Sequence, residues 1–179
     1  SKEKLTLVAE YESGKIIRGE AHIDEPEEGH DGRERIRSLT IEPHTEIAVA
    51  AREAILAADL IVLGPGDLYT STLAAVVVPG VAEAIRKSPA RIAHVVNLMT
   101  KYGQTHGFTA ESHVKELSRY IGRFPDVVLL NSARLPEGVI SRYTTEQEFP
   151  VEDDLGDGDG YTVLRDDFKV FMDNRQAGG

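Results

Sequence analysis

Residues 60–71 read Leu-Ile-Val-Leu-Gly-Pro-Gly-Asp-Leu-Tyr-Thr-Ser, a short apolar run followed by two glycines and then by hydroxyl-bearing residues. The run is short and ends at a glycine, so it predicts a buried strand rather than a helix. Gly64 and Gly66 allow a sharp turn and a close approach of the backbone to a ligand. A helix beginning after them would offer unpaired N–H groups and the positive end of its dipole. The segment indicates either a phosphate-binding turn or a plain connection, which Pro65 suits equally well.

The turn matches no standard nucleotide motif, because it lacks both the Gly-Lys-Ser/Thr of a Walker loop and the GxGxxG spacing. Asp67 would open the predicted helix, where a carboxylate serves as an N-cap and stabilises the dipole. Its alternative role is a metal-bridged contact to a phosphate, since a bare carboxylate would repel that ligand. Thr70 and Ser71 add hydroxyl donors to the same turn.

The bulk composition predicts one acidic, cysteine-free domain. The chain has 179 residues, of which 41% are hydrophobic, and this is enough for one substantial core. A net charge of −10 argues against general nucleic-acid affinity. The absence of cysteine excludes disulfides and cysteine metal sites. No apolar run reaches the roughly 18 residues of a membrane span, and Ser1–Lys4 is unlike a signal peptide, so we expect a cytoplasmic protein.

The chain divides into three regions within one predicted domain. Residues 1–35 predict a β-hairpin, with strands at Leu5–Tyr11 and Lys15–Ile23, followed by an exposed loop. Residues 36–131 alternate strands and helices, beginning with a strand at Ile36–Ile41. Residues 151–179 predict an acidic loop, a last strand at Tyr161–Arg165 and a tail. The acidic run at 152–160 fits an EF-hand calcium loop poorly and favours a turn.

The alternating region predicts a parallel sheet covered by helices on both faces, because its strands are apolar throughout. Ligands bind such sheets beyond the carboxyl ends of the strands. Three predicted loops lie at that edge: 64–71, 97–108 and 131–140. Further strands are predicted at 60–63, 91–97 and 126–130, and helices at 46–58, 68–78, 81–87 and 109–121, the last with Thr109 as its N-cap.

The histidines of the second loop offer acid–base chemistry, although each has a simpler structural interpretation. His106 lies within this loop, and His113 lies beside the apolar stripe of the next helix. No Ser-His-Asp order and no nucleophile elbow is present. Residue patterns alone therefore indicate an anion-binding α/β domain without a defined reaction.

Four strings resemble the YvcK/CofD-like family: 64–71, Val78-Pro-Gly80, Asn97-Leu-Met-Thr100, and the run from Gly103 to Ala110 with His113. The resemblance covers roughly residues 5–168 and is closer to the YvcK branch. It implies a Rossmann-like three-layer fold with a mostly parallel sheet and an amino-terminal hairpin. It also implies a ligand site formed by the following residues: Gly64, Pro65, Gly66, Asp67, Tyr69, Thr70, Ser71, Asn97, Thr105, His106, Gly107, Phe108, Tyr143 and Arg165.

The family's functions differ between its branches. YvcK-like members are gluconeogenesis factors that bind nucleotide sugars and support cell-envelope homeostasis, without an assigned reaction. CofD-like members are phosphotransferases that move a phospholactyl group from a guanosine diphosphate-linked donor to a deazaflavin alcohol, with magnesium. The resemblance thus implies a nucleotide or nucleotide-sugar ligand, Mg²⁺ in the complete site, no resident cofactor and, as a further partner to test, a second copy of the chain.

The chain also departs from the family pattern. Members begin with a Gly-Gly-Gly-Thr-Gly-type phosphate turn followed by acidic metal ligands, and this sequence contains neither. It therefore resembles the carboxyl-terminal half to two-thirds of a member. Beside the YvcK-like and CofD-like functions, the third alternative is that the chain is an inactive fragment. His106 stands where the family has an acidic residue. Arg165 precedes Asp166-Asp167 instead of a histidine-containing pair.

Overall fold

The computed structural model describes residues 5–27, 29–156 and 160–168 and has an α/β architecture with two sheets. The strands are β1 Thr6–Tyr11, β2 Ile16–Arg18, β3 Ile36–Glu42, β4 Leu60–Leu63, β5 Arg91–Val95, β6 Val127–Asn131 and β7 Thr162–Asp166. A three-stranded antiparallel sheet has the order β2-β1-β3, and a four-stranded parallel sheet has the order β4-β5-β6-β7.

The helices lie between successive strands along the chain. The α-helices are α1 Glu20–Asp24, α2 Val49–Ala57, α3 Ala74–Val76, α4 Val81–Lys87, α5 Ala110–Ile121 and α6 Glu137–Thr145. The segment Leu68–Leu73 is π-helical and continues directly into α3. Residues 157–159 of the predicted acidic turn and residues 169–179 of the predicted tail lie outside the described residues.

The amino-terminal hairpin is confirmed, but two expectations around it are wrong. The predicted second strand over Lys15–Ile23 ends at Arg18, and α1 begins at Glu20. Gly19 permits this change of direction with a φ of +96°. The strand β3 pairs with β1 in the antiparallel sheet and does not open the parallel alternation. Strand periodicity reveals a strand and its buried face, and it does not identify the pairing partner.

Helix α5 covers one face of the parallel sheet. Thr109 caps it as predicted, because its Oγ1 accepts a hydrogen bond of 3.2 Å from the backbone N–H of Ser112. Gly122 ends the helix with a φ of +76°. The predicted stripe of Val114, Leu117 and Ile121 is completely buried. The residues of the sheet that face this side include Ile92, His94 and Val128, all buried.

The opposite face of the parallel sheet is open within the described part of the chain. Leu60 and Val62 of β4 are 56% and 54% exposed, and Leu164 of β7 is 50% exposed. The expectation of cover on both faces therefore holds for one face only. Strand alternation places these three residues opposite the face that α5 covers.

One apolar core joins the two sheets. Leu7, Tyr11 and Leu39 of the antiparallel sheet pack in the same buried cluster as Leu73, Ile92 and Leu117. A smaller cluster lies under α5 around Val114, Val128 and Leu155. Among the described residues no single helix is long and apolar enough to cross a membrane. The pair Leu68–Val76 and Val81–Lys87 would together have the required length and composition, but the two helices are bent by 73°.

Candidate functional site

Two adjoining cavities open at the carboxyl ends of the parallel strands. A cavity of about 180 Å³ lies between the ends of β5 and β6 and helix α6. It is called the polar cavity below, because Asn97, Asn131 and Arg134 line it beside apolar side chains. An apolar cavity of about 520 Å³ lies beside it on the open face of the sheet, and Pro65, Val95, Leu129 and Phe168 are part of its lining. Leu98 and Asn131 line both cavities. The edge predicted from topology is therefore concave.

The glycine turn after β4 follows the sequence prediction closely. Gly64 has a φ of +91°, and a Cβ there would lie 2.6 Å from the carbonyl oxygen of Val95. Only glycine lets the end of β4 approach β5 this closely. Gly66 has a φ of +149°, and a Cβ there would lie 3.1 Å from the Cβ of Ser71. Pro65 follows a cis peptide bond.

The helix predicted for residues 68–78 forms in a different way. It begins as a π-helical turn in which the carbonyl of Asp67 accepts from the N–H groups of both Ser71 and Thr72, at 3.0 Å each. Asp67 occupies the capping position, but its side chain makes no capping hydrogen bond, so its predicted N-cap role is wrong. The Asp67 carboxyl instead lies close enough to Asp24 for the two groups to interact electrostatically.

Three carboxyl groups surround a single ammonium group beside this turn. Lys101 Nζ lies 3.3 Å from Glu148 Oε1 and 4.0 Å from Asp24 Oδ1. Burial and the charge of Asp24 raise the pKa of Asp67 above its ordinary value. Burial lowers the pKa of Lys101, but the carboxylates of Glu148 and Asp24 outweigh burial and raise it. Asp24, Asp67 and Glu148, together with Lys101, are called the acidic cluster below.

Buried hydrogen bonds fasten the glycine turn to the second loop. Thr70 Oγ1 donates to Gln104 Oε1 at 3.4 Å, and Gln104 Nε2 donates to Asp24 Oδ1 at 2.9 Å. Thr105 Oγ1 accepts from the backbone N–H of Lys101 at 2.9 Å. Thr70, Gln104 and Thr105 are all buried. The two loops therefore form one rigid rim, and Thr105 stabilises that rim from inside.

The remaining residues of the second loop divide between surface and core. His106 Nδ1 lies 3.2 Å from the carbonyl oxygen of Gln147, and its ring meets the rings of Tyr102 and Phe149 edge-on. Gly107 has a φ of +71° with open space around it. Phe108 is buried, and its ring lies 5.5 Å from the ring of His113. His106 and Gly107 are therefore accessible parts of the loop, whereas Phe108 belongs to its support.

Three of the predicted site residues have structural partners away from the cavities. Tyr69 is 1% exposed and donates from its hydroxyl to Glu116 Oε1 at 2.6 Å. Arg165 donates to both carboxylate oxygens of Asp153, at 2.6 and 3.0 Å, and to the carbonyl of Leu155 at 2.7 Å. Tyr143 lies on α6, and its carbonyl accepts from Glu146 and Glu148. Ligand contact by Arg165 would have to replace an ion pair that already exists.

Sequence reasoning missed Asn131 and Arg134 in the polar cavity and every member of the acidic cluster except Asp67. Asn131 ends β6 much as Asn97 follows β5, so the position of an amide after an apolar strand was an available signal. Asp24, Lys101 and Glu148 come from three distant parts of the chain. The Gln104–Asp24 hydrogen bond joins residues 80 positions apart, and no local pattern indicates such a contact.

The described residues do not fit the magnesium that the resemblance implied. They contain no group of three or more histidine, aspartate or glutamate side chains arranged to hold a metal ion. In the acidic cluster, the Lys101 ammonium already supplies positive charge to two of the carboxylates. The acidic cluster is thus a partly neutralised ion-pair network rather than a metal site.

Together, the parallel sheet, the glycine turn on its first strand and the two cavities at its carboxyl edge define an α/β protein of the Rossmann-like class. The chain belongs to the CofD family: the family described as 2-phospho-L-lactate transferase CofD matches residues 1–169. This finding confirms the resemblance inferred from the sequence.

Relatives of the chain carry a second description. The "Gluconeogenesis factor" of Bacillus subtilis is 35% identical over 178 residues, which is 95% of this chain and 53% of the relative. A protein of the same name from Halalkalibacterium halodurans is 36% identical over 153 residues, covering 84% of the chain and 46% of the relative. A crystal structure of a UPF0052 family member from Bacillus halodurans superimposes with a TM-score of 0.81 at 32% identity, covering 93% of this chain and 53% of that one. The chain thus spans about half the length of these relatives.

Proposed function

We propose that this chain forms one wall of a nucleotide-sugar site. Like the YvcK branch, it acts in the cytoplasm as a gluconeogenesis factor and supports the cell envelope. The observation that carries the proposal is the position of the Gly64–Gly66 turn at the carboxyl edge of the sheet, where Pro65 lines the apolar cavity that adjoins the polar one. The name "Gluconeogenesis factor" borne by its relatives agrees with this choice of branch.

The two cavities suit the two chemical halves of such a ligand. The apolar cavity of about 520 Å³ falls within the roughly 300–1,000 Å³ of ordinary ligand pockets and offers flat apolar contacts to a base. The polar cavity offers the amide of Asn97, which has no hydrogen-bond partner among the described residues, and the exposed guanidinium of Arg134. Amides and guanidinium groups recognise hydroxyls and phosphates respectively.

The acidic cluster explains why we propose one wall and not a complete site. A diphosphate at the glycine turn would lie near Asp67 and Asp24, whose charges repel it. Lys101 is engaged by Glu148 and Asp24 and balances only part of this charge. The ligand therefore requires further positive charge or N–H donors from polypeptide beyond the part described.

Calorimetry with a uridine diphosphate sugar tests the proposal. The ligand is titrated into two proteins. One is the chain alone, and the other, called the chimaera below, is the Bacillus subtilis relative with its matched part replaced by this chain. We expect binding by the chimaera and little or none by the chain alone. Gly64→Ala should weaken binding at least about tenfold, because a Cβ there collides with β5.

Gly14→Ala is the matched control for this experiment. Gly14 has a similar φ of +86°, nothing lies within 4 Å of the position that a Cβ would occupy, and the residue belongs to the distant hairpin turn. Its replacement imposes comparable backbone strain and should leave binding unchanged. A folded chimaera that produces no heat at millimolar ligand contradicts the proposal, as does equal binding by both variants.

A CofD-type transferase is the second candidate, and the family match over residues 1–169 favours it. In that reaction a deazaflavin hydroxyl attacks the phosphorus that carries lactate, and the bond from this phosphorus to guanosine monophosphate breaks. Such displacement depends on positioning and charge neutralisation rather than on a protein nucleophile. Incubation of the chimaera with donor, deazaflavin and magnesium should then release guanosine monophosphate, and absence of release despite binding of the donor eliminates this candidate.

A further inference from the structure

Two buried histidines lie between the parallel sheet and helix α5. His94 belongs to the covered face of β5 and is 2% exposed, and His113 belongs to the buried face of α5 and is completely buried. Burial lowers the pKa of both imidazoles, that of His94 to about 4, so both rings are neutral at pH 7. A neutral imidazole has one N–H donor and one acceptor nitrogen. Each ring therefore needs a partner for both nitrogens within the interior.

The packing of α5 on β5 brings the two rings to the same level of the sheet. Val96, just after β5, shares a buried cluster with Ala110 at the start of α5, whereas Ile92 near the start of β5 shares one with Leu117. The helix therefore runs antiparallel to the strand, and the two histidines lie between these contacts, one on each element. The rings are also within electrostatic reach of each other, since a charge on His113 lowers the pKa of the His94 ring.

Backbone carbonyl oxygens engage the Nδ1 atoms of both rings. His94 Nδ1 lies 3.0 Å from the carbonyl oxygen of Leu63, and His113 Nδ1 lies 2.9 Å from that of Thr109. A carbonyl can only accept, so Nδ1 donates in both rings and both Nε2 atoms are acceptors. Neither Nε2 has a hydrogen-bond partner among residues 5–27, 29–156 and 160–168. Two acceptors cannot satisfy each other, and unpaired buried acceptors destabilise a fold.

A water molecule is the smallest group that satisfies both acceptors at once. It has two O–H donors, and buried waters bridge polar groups of an interior that are otherwise unsatisfied. A metal ion fits less well, because Zn²⁺ is held by about four ligands. The described residues contain no group of three or more histidine, aspartate or glutamate side chains that could supply them. A proton shared between the rings also fits less well, because burial disfavours the charged imidazolium.

We propose that one buried water molecule binds between Nε2 of His94 and Nε2 of His113 and donates a hydrogen bond to each. The water completes a chain of hydrogen bonds from the carbonyl of Leu63, just before the glycine turn, to the carbonyl of Thr109, which follows the second loop and caps α5. The two loops are thus joined beneath the sheet edge as well as through Gln104. The proposal concerns the support of these loops and holds whether or not a nucleotide sugar binds.

Nuclear magnetic resonance of the chain labelled with ¹⁵N-histidine tests the proposal without any substitution. At pH 7, both buried rings should carry their hydrogen on Nδ1, and both Nε2 atoms should have the chemical shift of a hydrogen-bonded acceptor. The ring protons that flank Nε2 in His94 and His113 should show cross-relaxation with a long-lived water. His22, which is exposed, is the control and should show none. A hydrogen on Nε2 of either buried ring overturns the proposal, as does the absence of the water signal from either ring.

Paired substitutions give a second measurement. His94→Asn and His113→Asn each keep an N–H donor near the backbone carbonyl and remove the Nε2 acceptor. Each single variant should lower the midpoint of urea unfolding, because the water loses one of its two partners. The double variant should lower it by clearly less than the sum of the two shifts, because the second substitution removes a bridge that is already broken. His94→Asn combined with Leu39→Ala in the antiparallel sheet is the control and should be additive. Additive shifts for the histidine pair overturn the proposal.

Discussion

At the scale of single residues, buried polar groups set the shape of the candidate site. His94 is 2% exposed and lies on β5, where its Nδ1 donates to the carbonyl oxygen of Leu63 at 3.0 Å. This hydrogen bond holds the last carbonyl before the glycine turn. Since a carbonyl can only accept, Nδ1 carries the hydrogen, and Nε2 is left as an acceptor with no partner in the described part of the chain. His94 is therefore a neutral structural donor.

His94 should make the protein sensitive to acid. Burial lowers its pKa to about 4, so the unfolded chain binds a proton more readily than the folded chain as the pH falls below 6.5. We expect the free energy of unfolding to decrease by up to about 3 kcal/mol between pH 6.5 and 4 through this residue. His94→Asn keeps a donor near Leu63 and cannot titrate. Urea unfolding across this range should therefore show a smaller pH dependence for the variant, and an unchanged slope would contradict the assignment.

The acidic cluster should respond to pH in the opposite direction. The raised pKa of Asp67 means that the folded chain holds its proton more strongly, so stability decreases as the pH rises above 3.8. Asp67→Asn should therefore increase the free energy of unfolding at pH 7. Lys101→Met should decrease it by about 2 kcal/mol, because Glu148 and Asp24 lose their shared cation. Asp59→Asn, at an exposed position, is the control and should leave the free energy of unfolding at pH 7 unchanged.

At the scale of elements, apolar periodicity found each strand that the structure describes, but it missed two helices. Helix α1 was predicted as part of a strand, and the first residues of α6 were assigned to the loop 131–140. Helix α5 was predicted with its N-cap and its buried stripe, because capping and 3.6-residue spacing are local properties. The partner of β3 and the π-helical form of Leu68–Leu73 were not predictable in this way. Both depend on contacts with distant residues, as the chain of hydrogen bonds from Thr70 through Gln104 to Asp24 illustrates.

The bond between Tyr69 and Glu116 should contribute to the packing of the π-helical segment on α5. Tyr69→Phe removes a 2.6 Å hydrogen bond to a carboxylate whose side chain is only 14% exposed. We expect a loss of about 1–2 kcal/mol in the free energy of unfolding. Tyr102→Phe, in the second loop, is the control and should have little effect. Comparable losses in both variants would show that the Glu116 bond contributes nothing specific.

At the scale of the whole molecule, the shared core couples the two sheets. Leu7, Leu39 and Ile92 belong to one buried cluster, and the Tyr11 hydroxyl of β1 donates to the carbonyl of Gly103 in the second loop at 3.1 Å. The sequence predicted a single domain but assigned β3 to the wrong sheet, because hydrophobic patterns indicate burial without naming neighbours. The sequence predicted that the site lies at the carboxyl edge of the parallel sheet and includes the Gly64–Gly66 turn. It did not predict the two cavities, because their shape depends on how the loops pack.

This shared core should make the chain unfold in one transition. The chain has no tryptophan, so Ile16→Trp in the antiparallel sheet and Phe124→Trp before β6 provide two separate fluorescence probes at half-exposed positions. Both should report the same urea midpoint. Leu39→Ala removes a core side chain of the antiparallel sheet and should cost about 3 kcal/mol, shifting both midpoints equally. If only the Ile16→Trp midpoint moves, the two sheets are independent units, and the site on the parallel sheet does not depend on the hairpin for its stability.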